Sequence, residues 1–93
     1  MARQTDATQA EIVSALRQAG CSVHDTHRVG GGFPDLVVWA PVAGTLHLLE
    51  VKTPGGRLSP IQREFAQRWP VDHVESAAQA LRACGLDVVE AET

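Results

Sequence analysis

The sequence has little cysteine and few aromatic residues, and it contains no long hydrophobic run. Its two cysteines, Cys21 and Cys84, cannot make a disulfide framework, so we expect a reduced, cytoplasmic chain. No apolar run approaches the roughly 18 residues that span a bilayer, and no basic segment precedes an apolar one near residue 1. We therefore expect neither a transmembrane helix nor a signal peptide. Aromatic residues make up 4% of the chain, which suits it poorly to bind single-stranded nucleic acid by stacking.

The chain is short, and its charge is small and unevenly distributed. Its 93 residues predict one domain over residues 1–93, and 44% apolar residues suffice for one modest core. The net charge of −3 argues against a histone-like binder of nucleic acid. Residues 28–68, however, carry five of the eight Lys and Arg residues but three of the eleven Asp and Glu residues. This basic middle favours steering of an anionic substrate to one face, and ordinary surface scatter accounts for it equally well.

The first half of the chain is predicted to form a helix followed by three strands. Apolar residues at helical spacing predict a helix over residues 8–19, with Thr8 and Glu11 as a capping box at its start. A short strand is predicted over residues 21–25. Leu36–Ala40 and residues 45–52 are apolar on both faces, which is typical of buried strands. The short link between these two strands predicts an antiparallel hairpin.

The next predicted element is a helix that begins after residue 59. Ser59 is the expected N-cap, because a proline suited to the first helical position follows it. Ile61, Phe65 and Trp69 form an apolar stripe along this helix. We expect Trp69, and likewise Trp39 in the second predicted strand, to anchor the core.

The last predicted elements are a short strand over residues 71–74 and a helix over residues 76–84. Ser76 and Gln79 read as a capping box, and a glycine closes the helix. The predicted element order is therefore α-β-β-β-α-β-α. This order predicts an α/β fold with a single mixed sheet and helices packed on it.

Two acidic residues, Asp35 and Glu50, lie in or beside strands that are otherwise apolar. An unpaired charge buried there is costly, so a compensating partner is expected. Lys52 follows Glu50 by two residues, which places both side chains on one face of a strand. Two carboxylates where strands meet suit Mg²⁺, with the Val51 carbonyl as a further oxygen ligand. Lys52 would then orient the attacking water or stabilise charge on a phosphate, so the pattern indicates phosphodiester hydrolysis.

The same residues resemble a known family. Pro34-Asp35 and, after a gap of 14 residues, Glu50-Val51-Lys52 resemble the PD-(D/E)XK nuclease superfamily. The fuller stretches at residues 32–38, 48–56 and 58–62 (GFPDLVV, LLEVKTPGG and LSPIQ) are similar to its VRR-NUC branch, over roughly residues 8–83. The resemblance implies a restriction-endonuclease-like fold and a DNA nuclease that depends on Mg²⁺ or Mn²⁺. Small stand-alone members of this branch, often phage-encoded, act as homodimers on branched DNA such as four-way (Holliday) junctions.

The resemblance also implies roles for single residues. Asp35, Glu50, the Val51 carbonyl and Glu11 match the metal-binding positions, Lys52 matches the catalytic lysine, and Gln62 matches an active-site glutamine. Simpler structural roles stay open for five of them. Glu50 and Lys52 would also make an ordinary ion pair, and Asp35 follows a proline in a turn. Gln62 and Glu11 each occupy the third helical position of a predicted capping box. Each would therefore serve as a helix cap only, or as a cap and a site residue at the same time.

Five residues are candidates for contacting DNA, namely Arg28, Gly31, Gly32, Arg57 and Arg63. The glycines belong to a run at residues 30–32 whose missing side chains would let a phosphate backbone approach Asp35. Three functions remain in view: a junction-resolving endonuclease, a structure-specific nuclease acting on flaps, nicks or linear duplex, and a non-catalytic DNA-binding module that kept the fold.

Overall fold

The fold was obtained as a computed structural model, and the structure describes residues 4–86, with side chains from residue 6 onward. The described elements follow the order α-β-β-β-α-β-α, which confirms the predicted α/β class. Their bounds are α1 Gln4–Gln18, β1 Ser22–Asp25, β2 Leu36–Ala40, β3 Thr45–Val51, α2 Pro60–Arg68, β4 Val71–Val74 and α3 Ala77–Ala83. No helix within this part of the chain is long and apolar enough to cross a membrane.

The four strands form one mixed sheet in the order β1-β2-β3-β4. β1 and β2 are antiparallel, as are β2 and β3, which confirms the predicted hairpin. β4 pairs in parallel with β3, with Leu48 opposite Val71 and Val51 opposite Val74. This parallel pairing requires a crossover connection, and α2 lies within it.

The two faces of the sheet differ in what covers them. The core lies between α1, α3 and one face of the sheet, which we call the covered face. Alternate residues of each strand belong to it because side chains alternate between the faces. The covered face includes Leu36, Val38, Ala40, Leu49, Val51 and Val74, against which Ile12, Leu16, Ala80 and Cys84 of the helices pack. The opposite face, here called the open face, carries Val37, Trp39, Leu46, Leu48, Glu50, Val71 and His73.

The prediction that both tryptophans anchor the core is wrong. Trp39 and Trp69 are exposed, as are Leu46 and Ile61. None of the residues of α2 is buried. Contrary to expectation, the apolar stripe of this helix therefore does not pack into the core. The reason is the position of the covering helices: α1 and α3 both pack on the covered face. The strands therefore carry apolar side chains on both faces of the sheet, but helices α1 and α3 cover only one of these faces.

Two predicted helix caps also need correction. α1 already extends from Gln4, so Thr8 lies inside the helix and forms no capping box with Glu11. The chain before Thr8 has no glycine or proline from Gln4 onward, and Asp6 suits the first turn of a helix, so nothing stops the helix from starting earlier. At α3, Ser76 caps the helix as predicted, but the Gln79 side chain accepts a hydrogen bond from the backbone of Glu75 instead of Ser76.

Candidate active site

The backbone pairing of β2 and β3 brings two carboxylates together. Leu36 pairs with Leu49, so one residue further along Asp35 comes opposite Glu50. The carboxyl group of Asp35 lies close enough to Glu50 to raise its pKa. Both acids thus meet at the end of the hairpin away from its turn, as the sequence pattern predicted.

Backbone and side-chain hydrogen bonds hold Asp35 in place. Its Oδ2 accepts a hydrogen bond of 2.9 Å from the backbone N–H of Val51. Its backbone carbonyl accepts one of 2.7 Å from the N–H of Thr26, whose hydroxyl donates to the carbonyl of Pro34 at 2.8 Å. Sequence reasoning missed this role of Thr26, because it depends on the pairing of β1 with β2 and has no local signal.

Glu50 is buried although it is acidic. Its side chain is 3% exposed. Burial, and then the hydrogen bond and negative charge of Asp35, raise the pKa of Glu50 from 4.5 to about 8, while Lys52 acts in the opposite direction. The carboxyl group therefore holds a proton at neutral pH unless a cation stabilises its charge.

Lys52 is the basic residue at this site. Its Nζ lies 3.6 Å from Oε2 of Glu50, and its side chain is 22% exposed. The backbone N–H of Lys52 continues the pairing with β4 by donating to the Val74 carbonyl at 3.0 Å. The ammonium group thus reaches both the buried carboxylate and the surface.

Gln62 makes a capping contact and a site contact at the same time. Its Oε1 accepts a hydrogen bond of 2.8 Å from the backbone N–H of Ser59, which completes the capping box of α2. Its Nε2 donates to Oε2 of Glu50 at 3.0 Å. The two roles that the sequence left open are geometrically compatible, and α2 is tied to the carboxylate pair through one amide.

The glycine run packs against the start of α2. Gly32 has a φ of +82°, and a Cβ there would lie 2.5 Å from the backbone oxygen of Ile61. Gly31 has a φ of +67° with open space around the position of a Cβ. A side chain at Gly32 would therefore push the loop before Asp35 away from the helix that carries Gln62.

The arginines predicted to contact DNA lie at the surface around this centre. Arg28 is exposed in the turn before the glycine run, Arg57 is exposed after Lys52, and Arg63 is exposed on α2. The side chains of these three arginines make no described hydrogen bond or ion pair, in contrast to Arg68, whose guanidinium group lies 3.9 Å from the carboxylate of Glu64.

The structure does not bring Glu11 to this centre. Glu11 is exposed on α1, which packs on the covered face, whereas Glu50 belongs to the open face. Among residues 4–86, no cluster of three or more His, Cys, Asp or Glu side chains is arranged to hold a metal ion. The oxygen donors that do meet are the two carboxylates of Asp35 and Glu50.

Comparisons with known proteins show the family and the fold of the chain. A model of the VRR-NUC domain family matches residues 2–78. In a search of solved structures, one described as a VRR_NUC domain matches this chain with a TM-score of 0.75 and 24% sequence identity. The match covers 90% of this chain and 97% of the other, which shows a common fold. No curated protein matches the chain in sequence.

Proposed function

Because the chain belongs to the VRR-NUC family, we propose that it is a Mg²⁺- or Mn²⁺-dependent endonuclease that resolves four-way junctions in DNA as a homodimer. Family membership makes it a nuclease-family domain that acts on DNA. The metal, the branched substrate, the homodimer and the extent of the domain over residues 1–93 are proposals. One observation supports the proposed metal-dependent cleavage: Asp35 and Glu50 meet across β2 and β3, with Lys52 3.6 Å from the Glu50 carboxylate.

The donor set at this site fits a divalent metal ion. Two adjacent carboxylates repel each other when both are ionised, and this repulsion helps to raise the pKa of Glu50 to about 8. A cation held by Asp35 and Glu50 would remove that repulsion, and the Val51 carbonyl is the proposed third oxygen ligand. Oxygen ligands of this kind are those that Mg²⁺ prefers. Such an ion, when bound, supplies Lewis acidity and lowers the pKa of a coordinated water.

Lys52 is the proposed catalytic residue. It is the chain's only lysine, and its ammonium group is partly exposed beside Glu50. In that position it donates a hydrogen bond to the attacking water or to a phosphate oxygen on which negative charge develops. Either contact lowers the barrier to cutting the phosphodiester bond.

Gln62 is proposed as a residue of the same site. Its hydrogen bond of 3.0 Å to Oε2 of Glu50 fixes the orientation of that carboxylate. The same amide caps α2 through Ser59, so the helix holds the amide in register with the sheet. Gln62 thereby positions Glu50 for its ligand, and Glu11 is retained only as a weaker candidate because it lies apart.

DNA contact is assigned to the exposed arginines and to the glycine run. Arg28, Arg57 and Arg63 offer charges to backbone phosphates, which position the substrate without reading its sequence. Gly31, which has open space around the position of a Cβ, leaves room for a phosphate backbone near Asp35, whereas the same space at Gly32 is taken by the backbone of Ile61, so Gly32 is the weaker candidate.

The homodimer follows from the small number of these charges. Three unpaired arginines per chain bind duplex DNA weakly at physiological salt, because affinity depends steeply on the number of neutralised phosphates. A two-fold symmetric dimer doubles the charged surface and presents two sites to two strands.

A cleavage panel tests this function. Purified protein is incubated at low salt with Mg²⁺, with Mn²⁺ or with a chelator. The substrates are a four-way junction, a flap, a nicked duplex, a linear duplex and a single strand. Lys52→Ala and Glu50→Gln are the test variants, and Arg82→Ala on α3 is the matched control for loss of a positive charge. We expect paired, symmetric cuts in the junction by the wild type and Arg82→Ala, and none by the test variants.

Other outcomes select among the alternatives. Metal-dependent cutting of flaps, nicks or linear duplex instead of the junction would keep the site and replace the substrate. DNA binding without cutting of any substrate would indicate a non-catalytic binding module. Cutting that persists in Glu50→Gln and Lys52→Ala would refute the assignment of the site.

A further inference from the structure

We propose that a second copy of this chain docks on the open face through Trp39 and Leu46 of the sheet and Ile61 and Trp69 at α2. This inference rests on the proposed function in one respect: the molecule that covers the open face is taken to be the second subunit of the proposed homodimer. It names the surface that forms the homodimer, and five observations support it.

The first observation is the mismatch between the strand sequences and their covering. β2 and β3 are apolar on both faces, a pattern typical of strands buried on two sides. Within the described chain, α1 and α3 complete the core on the covered face. The open face keeps Trp39 44% exposed and Leu46 63% exposed. Trp39 and Leu46, which the strand pattern predicts to be buried, are therefore not fully covered by the described part of the chain.

The second observation is that these residues lie on the same side of the sheet. Trp39 and Leu46 are direct cross-strand partners, so their side chains lie next to each other on the open face. The α2 helix lies on the same side of the sheet, because Gln62 bonds to Glu50 of the open face. Trp69 follows α2 and comes two residues before Val71, which pairs with Leu48.

The third observation is that the α2 part of this surface is held in place. Trp69 stacks on Phe65 with ring centroids 5.7 Å apart, and Phe65 meets the edge of Phe33 at 5.4 Å. Ile61 is 52% exposed and Trp69 54% exposed on the same helical stripe. Aromatic rings fixed by their neighbours lose little conformational freedom on binding, which favours association.

The exposed area agrees with the need of a dimer. A tryptophan offers up to about 250 Å² and is about half exposed here, so the four side chains present roughly 400 Å² of apolar surface per copy. Two copies contribute about 800 Å². A standard interface of about 1,600 Å² is a little more than half apolar, so this patch supplies most of its apolar part.

The charges favour a second copy over nucleic acid. Glu64 and Arg68 lie beside the apolar stripe, 3.9 Å apart and 67% and 75% exposed. A two-fold axis places this surface of one copy against the same surface of the other copy. Because the surface carries a negative and a positive side chain, opposite charges of the two copies can pair across the axis. The described strands of the open face present no arginine, and their lysine neighbour, Lys52, belongs to the proposed active site. A polyanion would therefore find little attraction around Trp39 and Leu46.

Sedimentation equilibrium of the full chain over a concentration series tests the proposal. The variants are Leu46→Glu and Trp39→Ala on the patch, with Val29→Glu as a matched control. Val29 is 62% exposed in the loop between β1 and β2, at the far end of the sheet from the Trp39–Leu46 pair. We expect a wild-type dimer, dissociation constants raised about 100-fold or more by both patch variants, and no change in the control. Circular dichroism melts confirm that each variant is folded.

A wild type that stays monomeric, or a control that dissociates as much as Leu46→Glu, would overturn the proposal. DNA binding is measured in parallel by fluorescence anisotropy in a Lys52→Ala background. If the wild type is monomeric and Leu46→Glu weakens DNA binding, the open face binds nucleic acid instead. A dimer that cuts no DNA would refute the proposed nuclease activity and leave this surface standing, whereas a monomer that cuts DNA would overturn the surface and the homodimer and leave the nuclease activity standing.

Discussion

Replacement of Glu50 by glutamine is expected to stabilise the metal-free protein at alkaline pH and not at acidic pH. Glu50 lies beside Asp35, and its side chain is 3% exposed. Burial and the neighbouring carboxylate raise its pKa from 4.5 to about 8. The folded protein therefore holds this proton more tightly than the unfolded chain. The stability that Glu50 contributes is present below about pH 4.5 and is lost as the pH rises through about 8.

The size of the effect follows from these two values. Each tenfold difference in proton affinity between the folded and unfolded states corresponds to about 1.4 kcal/mol. The rise of the pKa from 4.5 to about 8 therefore sets an upper limit of about 5 kcal/mol at pH 9. Glutamine forgoes the ion pair with Lys52, so we expect about half of that limit, about 2 kcal/mol. In a domain of this size this gain raises the melting temperature by about 10 °C.

Thermal melts of the wild type and Glu50→Gln between pH 5 and 9, with a chelator present, measure this effect. The difference between the two proteins isolates Glu50 from the other titrating groups. Glu64→Gln is the matched control, because Glu64 is 67% exposed and its ion pair with Arg68 lies on the surface. The melting temperature of Glu50→Gln should exceed that of the wild type by an amount that grows from pH 5 to about pH 8 and then levels off.

The reasoning would be refuted by a difference between wild type and Glu50→Gln that does not grow with pH, or by an equal change in Glu64→Gln. A second arm adds Mg²⁺ at pH 8. A cation held by Asp35 and Glu50 stabilises the folded state by binding to it, so the wild type should melt higher with increasing Mg²⁺. Glu50→Gln should respond much less, and an equal response of both proteins would place the ion elsewhere.

Three further predictions concern the glycine loop beside the site, the two cysteines of the core and the cap of α2. Gly32→Ala should destabilise the protein by about 2 kcal/mol more than Gly30→Ala in urea melts, because both have positive φ but only the first meets backbone of α2; equal losses would exclude the clash. Cys21 and Cys84 should resist alkylation at pH 8 until the protein unfolds, since burial raises the pKa of both thiols, that of Cys84 to about 11; rapid native labelling would contradict this. Ser59→Ala should cost about 1 kcal/mol through loss of the α2 cap, measured in the same urea melts, and an unchanged stability would show that the cap contributes nothing.

The position of the carboxylate pair could be predicted from the sequence because it depends on local rules. Strand periodicity places Glu50 and Lys52 on one face, and the short link at residues 41–44 makes β2 and β3 a hairpin. The serine and proline at the start of α2 and the glutamine three residues later fix Gln62 in the capping box. Each of these signals acts over a few residues, so no knowledge of the packed fold was needed.

The contacts that the sequence did not predict depend on distant segments. Thr26 supports Asp35 only because β1 pairs with β2 in a particular register. Gln62 contacts Glu50 only because α2 crosses over the open face on its way to β4. The contact between Gly32 and Ile61 likewise joins the loop before β2 to the start of α2, and their approach is set by the sheet. Periodicity and capping rules carry no information about such pairs.

The wrong prediction for Trp39 has a physical cause that bears on the proposed dimer. An apolar pattern on both faces of a strand indicates that both faces are buried in the assembled protein, but it does not say which chain provides the cover. The helices α1 and α3 cover one face, and Trp39 and Leu46 remain exposed on the other. If a second copy covers that face, the prediction of a buried tryptophan was correct for the assembly and wrong only for the single chain. The same sedimentation measurement therefore decides both the dimer surface and the meaning of the sequence pattern.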